Sequence, residues 1–342
     1  MAEFHKIAEG IWSGRGFRHR AARALLSPLE IAYRTAMATR GALYDRGILS
    51  AEEFAVPVVS VGNLTVGGTG KTPVSAWLAR QLTDRGMKAA IVLRGYGGDE
   101  TIVHRRLNAD VAVITAAVRP RGVREAIANG ANVVVLDDAF QHRGAGRSAD
   151  ILLLNADAWT GSVRLLPAGP WREPLSAARR ASLVLVTRKV AEADTVDNVR
   201  RAVARAAPQV PIAVVHLMPS ELRSTATGQA MPLQAVREAD LTAIAAIAQP
   251  EVFFKQLTEL GAVVRPHSYP DHYPFTRDDA TDLASQSADS DFVVCTLKDA
   301  VKLESLWPAE AGSLWYVSQR LKIEDGKDHI DHLLDDLGSR FP

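Results

Sequence analysis

The sequence predicts an α/β protein, a mostly parallel sheet sandwiched between helices and followed by a second, smaller α/β domain. Two observations carry the prediction. From residue 55 onward, short β-branched apolar runs alternate with helical patterns, as in parallel sheets covered on both faces. The alternation then weakens between Pro208 and Pro219 and resumes beyond it, which divides the elements into two sets.

The first set of strands is expected at Val56–Val61, Ala89–Leu93, Val111–Ile114, Val133–Leu136, Ile151–Leu154 and Leu183–Val186. Helical patterns at Pro73–Arg85 and Arg121–Ala128 lie between them. In the second set, strands are expected at Leu241–Ile247, Ala262–Arg265, Phe292–Thr296 and Leu314–Val317, with helices near Glu251–Leu260, Arg277–Gln286 and Asp328–Leu337. The strand-like Ile212–Leu217, bracketed by prolines, reads as the connection. At 342 residues the chain accommodates two domains of roughly 100–200 residues each. The expected division is an N-terminal segment at 1–48, a nucleotide-binding domain at 49–210 and a C-terminal α/β domain at 211–342.

The nucleotide is inferred from Val58-Val-Ser-Val-Gly-Asn-Leu-Thr-Val-Gly-Gly-Thr-Gly-Lys-Thr-Pro73. A buried strand enters a glycine-rich turn, and a helix follows that carries Gly70-Lys71-Thr72 at its start. Such a turn lets backbone N–H groups curl around a phosphate at the positive end of the helix dipole. Thr65, Val66, Gly67, Gly68, Thr69, Gly70, Lys71 and Thr72 form the expected cradle. Lys71 would reach the β/γ-phosphates, and the Thr72 hydroxyl would hold Mg²⁺. Thr65 stands where the strict pattern has its first glycine, so Gly67 and Gly68 supply the turn. The fold is therefore a P-loop α/β/α sandwich, and a nucleoside triphosphate with Mg²⁺ the expected pair. The apolar run Asn132-Val-Val-Val-Leu-Asp-Asp138 supplies the acidic partner. Asp137 and Asp138 leave the C-terminal end of a strand, where open α/β sheets bind ligands, and a cation would relieve their mutual repulsion.

Composition narrows the classes. A formal net charge of +1 provides no global field for nucleic acid. The single cysteine, Cys295, allows neither an intrachain disulfide nor a cysteine zinc site, and fits a reducing compartment. No stretch approaches the ~20 continuous apolar residues of a membrane span, and arginines interrupt any signal-peptide core. No obligate protein partner is evident. The N-terminal segment is distinctive: Arg15, Arg18, His19, Arg20 and Arg23 precede a helical pattern in which Leu25, Leu29, Tyr33 and Met37 recur at i, i+4, with Glu30 the only acid between Phe17 and Arg40. A basic, apolar helix suits an anionic membrane surface.

A nucleotide loop alone leaves kinase, ATPase and GTPase open. Thr296-Leu-Lys-Asp299 has the wrong spacing for a guanine-reading motif. Further blocks resolve the choice: Leu26-Ser-Pro-Leu29, Leu43-Tyr-Asp-Arg-Gly47, Arg94-Gly-Tyr-Gly97, Asp137-Asp-Ala-Phe-Gln-His142, Leu166-Pro-Ala-Gly-Pro-Trp-Arg-Glu-Pro174, Pro270-Asp-His272 and Thr296-Leu-Lys-Asp-Ala-Val-Lys302. Together with the P-loop they resemble the tetraacyldisaccharide 4′-kinase family along nearly the whole chain. The resemblance implies phosphoryl transfer from ATP to the 4′-hydroxyl of a lipid-linked disaccharide 1-phosphate, giving lipid IVA. It also implies two α/β/α domains that close over the active site, and peripheral attachment to the cytoplasmic face of the bacterial inner membrane. Asp99 is implied as the general base, His272 as its partner, and Lys71 and Asp138 as catalytic groups. Arg119, Arg121 and Arg172 are weaker candidates for phosphate contacts. The sequence departs from the family pattern at Leu93, Ala139 and Leu297, and Gly98-Asp-Glu100 follows Gly97 without the family's intervening loop. A P-loop ATPase or metallochaperone of the deviant-loop group is the alternative, and it would not need the basic N-terminus; a non-enzymatic nucleotide sensor, a third reading, could dispense with Asp99 and His272.

Overall fold

The computed structural model describes residues 10–12, 14, 16–95 and 98–339. Arg15 of the basic cluster and Tyr96 and Gly97 of the Arg-Gly-Tyr-Gly block lie outside the described residues. The helices are α1 (Phe17–Asp45), α2 (Lys71–Asp84), α3 (Asp99–Leu107), α4 (Arg119–Ala128), α5 (Ala193–Ala206), α6 (Pro250–Glu259), α7 (Arg277–Gln286), α8 (Leu297–Leu303) and α9 (Lys327–Ser339). The strands are β1 (Val58–Asn63), β2 (Ala89–Leu93), β3 (Ala112–Thr115), β4 (Val133–Asp137), β5 (Ala149–Asn155), β6 (Leu183–Arg188), β7 (Ile212–Ser224), β8 (Ala230–Pro232), β9 (Asp240–Ala245), β10 (Val263–Ser268), β11 (Phe292–Thr296) and β12 (Leu314–Asp325).

Contacts group the chain into two compact units, each assembled from separated stretches. The first comprises the chain up to Gly95, Leu107–Val215 and the chain from Ile323; the second comprises Tyr96–Arg106 and His216–Lys322. This differs from the contiguous division expected from sequence. The segment bearing Asp99 belongs to the second unit, and the C-terminal helix belongs to the first. The strand-like stretch between Pro208 and Pro219 does carry the passage from one unit to the other, at Val215–His216, within the long strand β7.

In the first unit the strands run in the order β6-β5-β1-β4-β2-β3, and each adjacent pair is parallel. Alternation along the strands sorts residues between two faces. Val58, Val92, Val134 and Leu136 pack with Val123 and Ala126 of α4. Helix α2 packs on β1, β2 and β4 and buries Val74, Leu78 and Leu82. Fully burying each such side chain stabilises the fold by about 1.5–3 kcal/mol. Because β1 lies between β4 and β5, the chain reverses its direction of sheet growth at β1. That is the crevice in which open α/β sheets take ligands.

The second unit has its own parallel core, with β9 between β10 and β11 and β11 beside β12. Leu241, Ala243, Phe253, Leu257 and Val294 form the cluster under α6. Ile244, Ala280, Leu283, Cys295 and Leu303 form the cluster under α7 and α8.

Helix α1 is 29 residues long and contains Pro28. Its i, i+4 apolar series does not keep to one face, because each such step turns about 40° around the axis. Tyr33 packs on the first unit's core, whereas Leu25 and Leu29 face solvent, Leu25 at 81% exposure. Phe17 and Ile31 are exposed as well. All four lie roughly 100–140° around the helix from Glu30, which is buried. The helix thus buries its acid and exposes its largest apolar residues. No helix among the described residues is long and apolar enough to cross a membrane.

Candidate active site

Two clusters hold the expected site residues, one in each unit. In the first, the loop after β1 is braced from outside by the Leu-Pro-Ala-Gly-Pro-Trp block. Thr65 forms an isolated antiparallel bridge with Trp171. The Val66 N–H donates to the Pro170 carbonyl at 2.8 Å, and the Arg172 N–H to the Leu64 carbonyl at 2.7 Å. Two loop carbonyls are engaged by the scaffold, Gly68 by Asn155 Nδ2 at 3.0 Å and Thr69 by Thr187 Oγ1 at 3.1 Å. With carbonyls held outward, the loop's N–H groups can converge on an anion. Gly70 caps α2 with φ 83°, a left-handed conformation that a side chain would strain. Lys71 and Thr72 then open the helix, with Thr72 buried.

The acidic pair divides its work. Strand register sets Val61 beside Asp137. Asp137 is turned toward α2, accepting a hydrogen bond from Ser75 Oγ at 3.0 Å, while its carbonyl accepts one from Arg119 at 3.0 Å. Asp138 has φ 50°, outside the region L-residues favour. Its Oδ1 lies 3.6 Å from Lys71 Nζ and 3.7 Å from Arg172 Nη1. That oxygen is buried and makes no hydrogen bond. Strain of this kind persists only where surrounding contacts over-determine it. Here the Ala139 N–H donates to Val61 O at 3.1 Å, and Arg147 Nη1 to Ala139 O at 3.1 Å. Gly62 completes the fit, since a Cβ there would come within 2.6 Å of the Phe140 nitrogen. His142, next in the block, has its pKa lowered by burial and then by the Arg119 charge.

Thr72 and the buried Asp138 oxygen are hard oxygen donors that fit Mg²⁺, which draws its other ligands from phosphates and water. Among the described residues there is no group of three or more His, Cys, Asp or Glu that could hold a metal. An ion here would depend on the nucleotide for ligands.

The second cluster joins α3, the β10–α7 loop and α8. Asp99 opens α3 and is almost fully buried. His272 Nδ1 lies 3.3 Å from Asp99 Oδ2, and Lys302 Nζ is 3.6 Å from the same oxygen. Lys298 pairs with Glu100 at 3.6 Å. Burial by itself would raise the Asp99 pKa. The hydrogen bond to His272 and the charges of Lys302, His272 and Lys298 together outweigh it and hold the carboxyl at about 2. The same hydrogen bond raises the pKa of His272 against its desolvation. His272 also has φ 58°. Sequence reasoning assigned Asp99 and His272 to different domains, to be joined by closure. The structure brings them into contact inside one unit, because the short α3 segment packs there.

Several residues escaped the sequence reading. Arg23, grouped with the basic cluster suited to a membrane surface, donates instead to the Ile11, Trp12 and Gly14 carbonyls. Of the arginines that the sequence offers as weaker phosphate contacts, Arg119 is buried and donates to the Asp137 carbonyl, Arg121 is exposed, and Arg172 lies 3.7 Å from Asp138. Ser75, Arg147, Lys298 and Lys302 were given no role. For the lysines a signal existed: their i, i+4 spacing puts both on one face of a helix.

Comparison with known proteins follows the same lines. The family model LpxK, tetraacyldisaccharide-1-P 4′-kinase, matches residues 22–338. A tetraacyldisaccharide 4′-kinase of Anaeromyxobacter dehalogenans is 39% identical over 310 residues, covering 83% of this chain and 82% of the relative. One from Halorhodospira halophila is 36% identical, covering 92% of each. Among solved structures, LpxK from Aquifex aeolicus in complex with ATP superposes with a TM-score of 0.73 at 27% identity, covering 92% of this chain and 99% of that one. By motif, fold and similarity along its length, the chain belongs to the tetraacyldisaccharide-1-P 4′-kinase family.

Proposed function

We propose that the chain transfers the γ-phosphoryl group of ATP to the 4′-hydroxyl of a tetraacyldisaccharide 1-phosphate, and that Asp99 and His272 receive the hydroxyl proton. Family membership supports the reaction. The observation that carries the residue assignment is the 3.3 Å contact of His272 with the buried Asp99.

Phosphoryl transfer relies on positioning and charge stabilisation around a loose transition state. Residues 67–72 cradle the triphosphate, Thr65 and Val66 being held instead by Trp171 and Pro170, and Lys71 neutralises charge at the β/γ end. Arg172, near Asp138, is placed to add a second cation. Thr72 and Asp138 would hold Mg²⁺, which when bound neutralises phosphate charge. Asp137 keeps α2 in register through Ser75. A sugar hydroxyl is a weak nucleophile and must lose its proton as the new bond forms. A carboxyl held at about 2 is a weak acceptor alone, so Asp99 orients the hydroxyl and the proton comes to rest on the pair, whose protonation belongs to both groups.

The partner surface follows from α1. Its exposed Phe17, Leu25, Leu29 and Ile31, with Arg18 and Arg20 beside them, suit a helix lying in an anionic bilayer interface. We infer peripheral attachment to the inner face of the membrane that carries the lipid substrate. Incubation with γ-labelled ATP, Mg²⁺ and tetraacyldisaccharide 1-phosphate tests the reaction. Label entering the lipid supports it. Phosphate release with no label in the lipid would favour the hydrolase reading.

A further inference from the structure

Asp299 is fully buried at the start of α8, and burying a carboxylate carries a heavy desolvation penalty. Helix capping does not require it, because Thr296 already accepts the Asp299 N–H as N-cap. The carboxylate reaches further. Its Oδ2 accepts the Thr296 hydroxyl at 2.6 Å and the Ala246 N–H at 3.1 Å, while Oδ1 is buried with no hydrogen-bond partner. Ala246 follows the end of β9, and its carbonyl accepts the N–H of His272 at 3.2 Å. One residue of main chain therefore separates Asp299 from the backbone of His272.

That backbone needs holding. A left-handed φ strains a non-glycine residue, and strained residues relax unless their surroundings fix them. The same helix also carries Lys302, 3.6 Å from Asp99 Oδ2. Helix α8 thus touches both members of the pair, Asp99 through a lysine and His272 through Ala246. Resting on the assignment of Asp99 and His272 as proton acceptor, we propose that Asp299 is a positioning residue that, through the Ala246 peptide, holds His272 in the orientation in which it meets Asp99.

The test uses the full chain with ATP and the lipid acceptor. Asp299→Ala should lower kcat on the order of 10²-fold, the effect of a misplacement near 1 Å, with the KM for ATP unchanged. Asp299→Asn, which keeps an oxygen for the Ala246 N–H, should recover most of that loss. In a His272→Ala background Asp299→Ala should add little, because residues acting as a unit are non-additive. The acid limb of the kcat profile should also move in Asp299→Ala and stay in place in Asp299→Asn, a response that mere loss of stability does not produce. If Asp299→Ala does not fold, Thr296→Val removes the hydroxyl that caps α8 and steadies the carboxylate, and should give the same pattern of kcat loss and pH shift at smaller size. Equal fold-losses in wild-type and His272→Ala backgrounds, or an unmoved pH profile, would overturn the proposal. A fully active His272→Ala enzyme would instead remove the proton-acceptor assignment on which it rests.

Discussion

Glu30 offers a direct test of how α1 is tied to the nucleotide loop. Its Oε1 accepts the Leu165 N–H at 2.9 Å, and its Oε2 accepts Arg164 Nε at 3.0 Å, with Arg34 a further 3.3 Å contact. Leu165 leads directly into the block that braces Thr65 and Val66. In Glu30→Ala, leaving the buried Leu165 N–H unsatisfied costs about 1–3 kcal/mol. The half-exposed Arg164 pair adds about 1 kcal/mol and the exposed Arg34 pair less than that. The total is about 3 kcal/mol, or a fall in Tm of about 6–12 °C for a unit of this size. Glu30→Gln keeps an oxygen for Leu165 and should lose only about a third as much. Thermal unfolding of both variants, with ATP KM measured below the transition, is the assay. Because the brace carries the loss to the loop, KM for ATP should rise severalfold in Glu30→Ala and little in Glu30→Gln. Identical losses in the two variants, or a lowered Tm with unchanged ATP KM, would refute the coupling.

Lys71→Ala should abolish transfer without lowering Tm, since the side chain meets phosphate and fills no core; Thr72→Ala should regain part of its lost rate at raised Mg²⁺. The pH dependence has a defined sign. His272 must be unprotonated to take a proton, and its pKa is raised above 6.5, so kcat should fall as pH drops through an inflection above that value. The stabilising effect of the pair runs differently. The Asp99 part is present above the ordinary value of 3.8 and is lost as pH falls toward about 2. The His272 part is present below 6.5 and is lost as pH rises through its raised value. The pair should therefore stabilise most between those limits, and Tm of wild type minus His272→Ala, followed against pH, reads it out. Leu25→Ser with Leu29→Ser should release the protein from anionic vesicles, and Arg18→Glu with Arg20→Glu should weaken binding most at low salt. Retention of both variants on vesicles would place the contact elsewhere.

The parallel strands were legible because two-sided burial writes them as continuous apolar runs, and β2, β11 and α7 appear where the pattern placed them. Helix α5 was overlooked although Val196, Val199 and Val203 have helical spacing and are buried; arginines and alanines between them dilute the apolar signal. The phosphate loop was readable because strand, glycines, lysine and helix are consecutive. The fine division of labour was not. Whether Asp137 turns to Ser75 or Asp138 to Lys71 depends on a left-handed backbone at one residue, which sequence does not announce. Glu30 looked like a lone acid on a basic face because the partners that bury it, Arg164 and Leu165, lie more than a hundred residues away. The placement of α3 likewise depends on contacts far apart in sequence.

The return of the C-terminal segment to the first unit bears on how the enzyme is made. Glu324 pairs with Arg188, Asp331 with Arg85, and Gly326 sits where a Cβ would strike the Ile212 carbonyl at 2.7 Å. A nascent chain that has left the ribosome only to residue 322 has every P-loop residue but lacks this closing piece. The nucleotide unit therefore completes last, after the unit interrupting it has been translated. Prematurely ended products would be marked by an unfinished first unit and exposed to proteolysis. For the same reason, grafting the second unit onto a relative requires two junction pairs, one around 96–106 and one around 216–322. A single cut near residue 215 would separate His272 from Asp99.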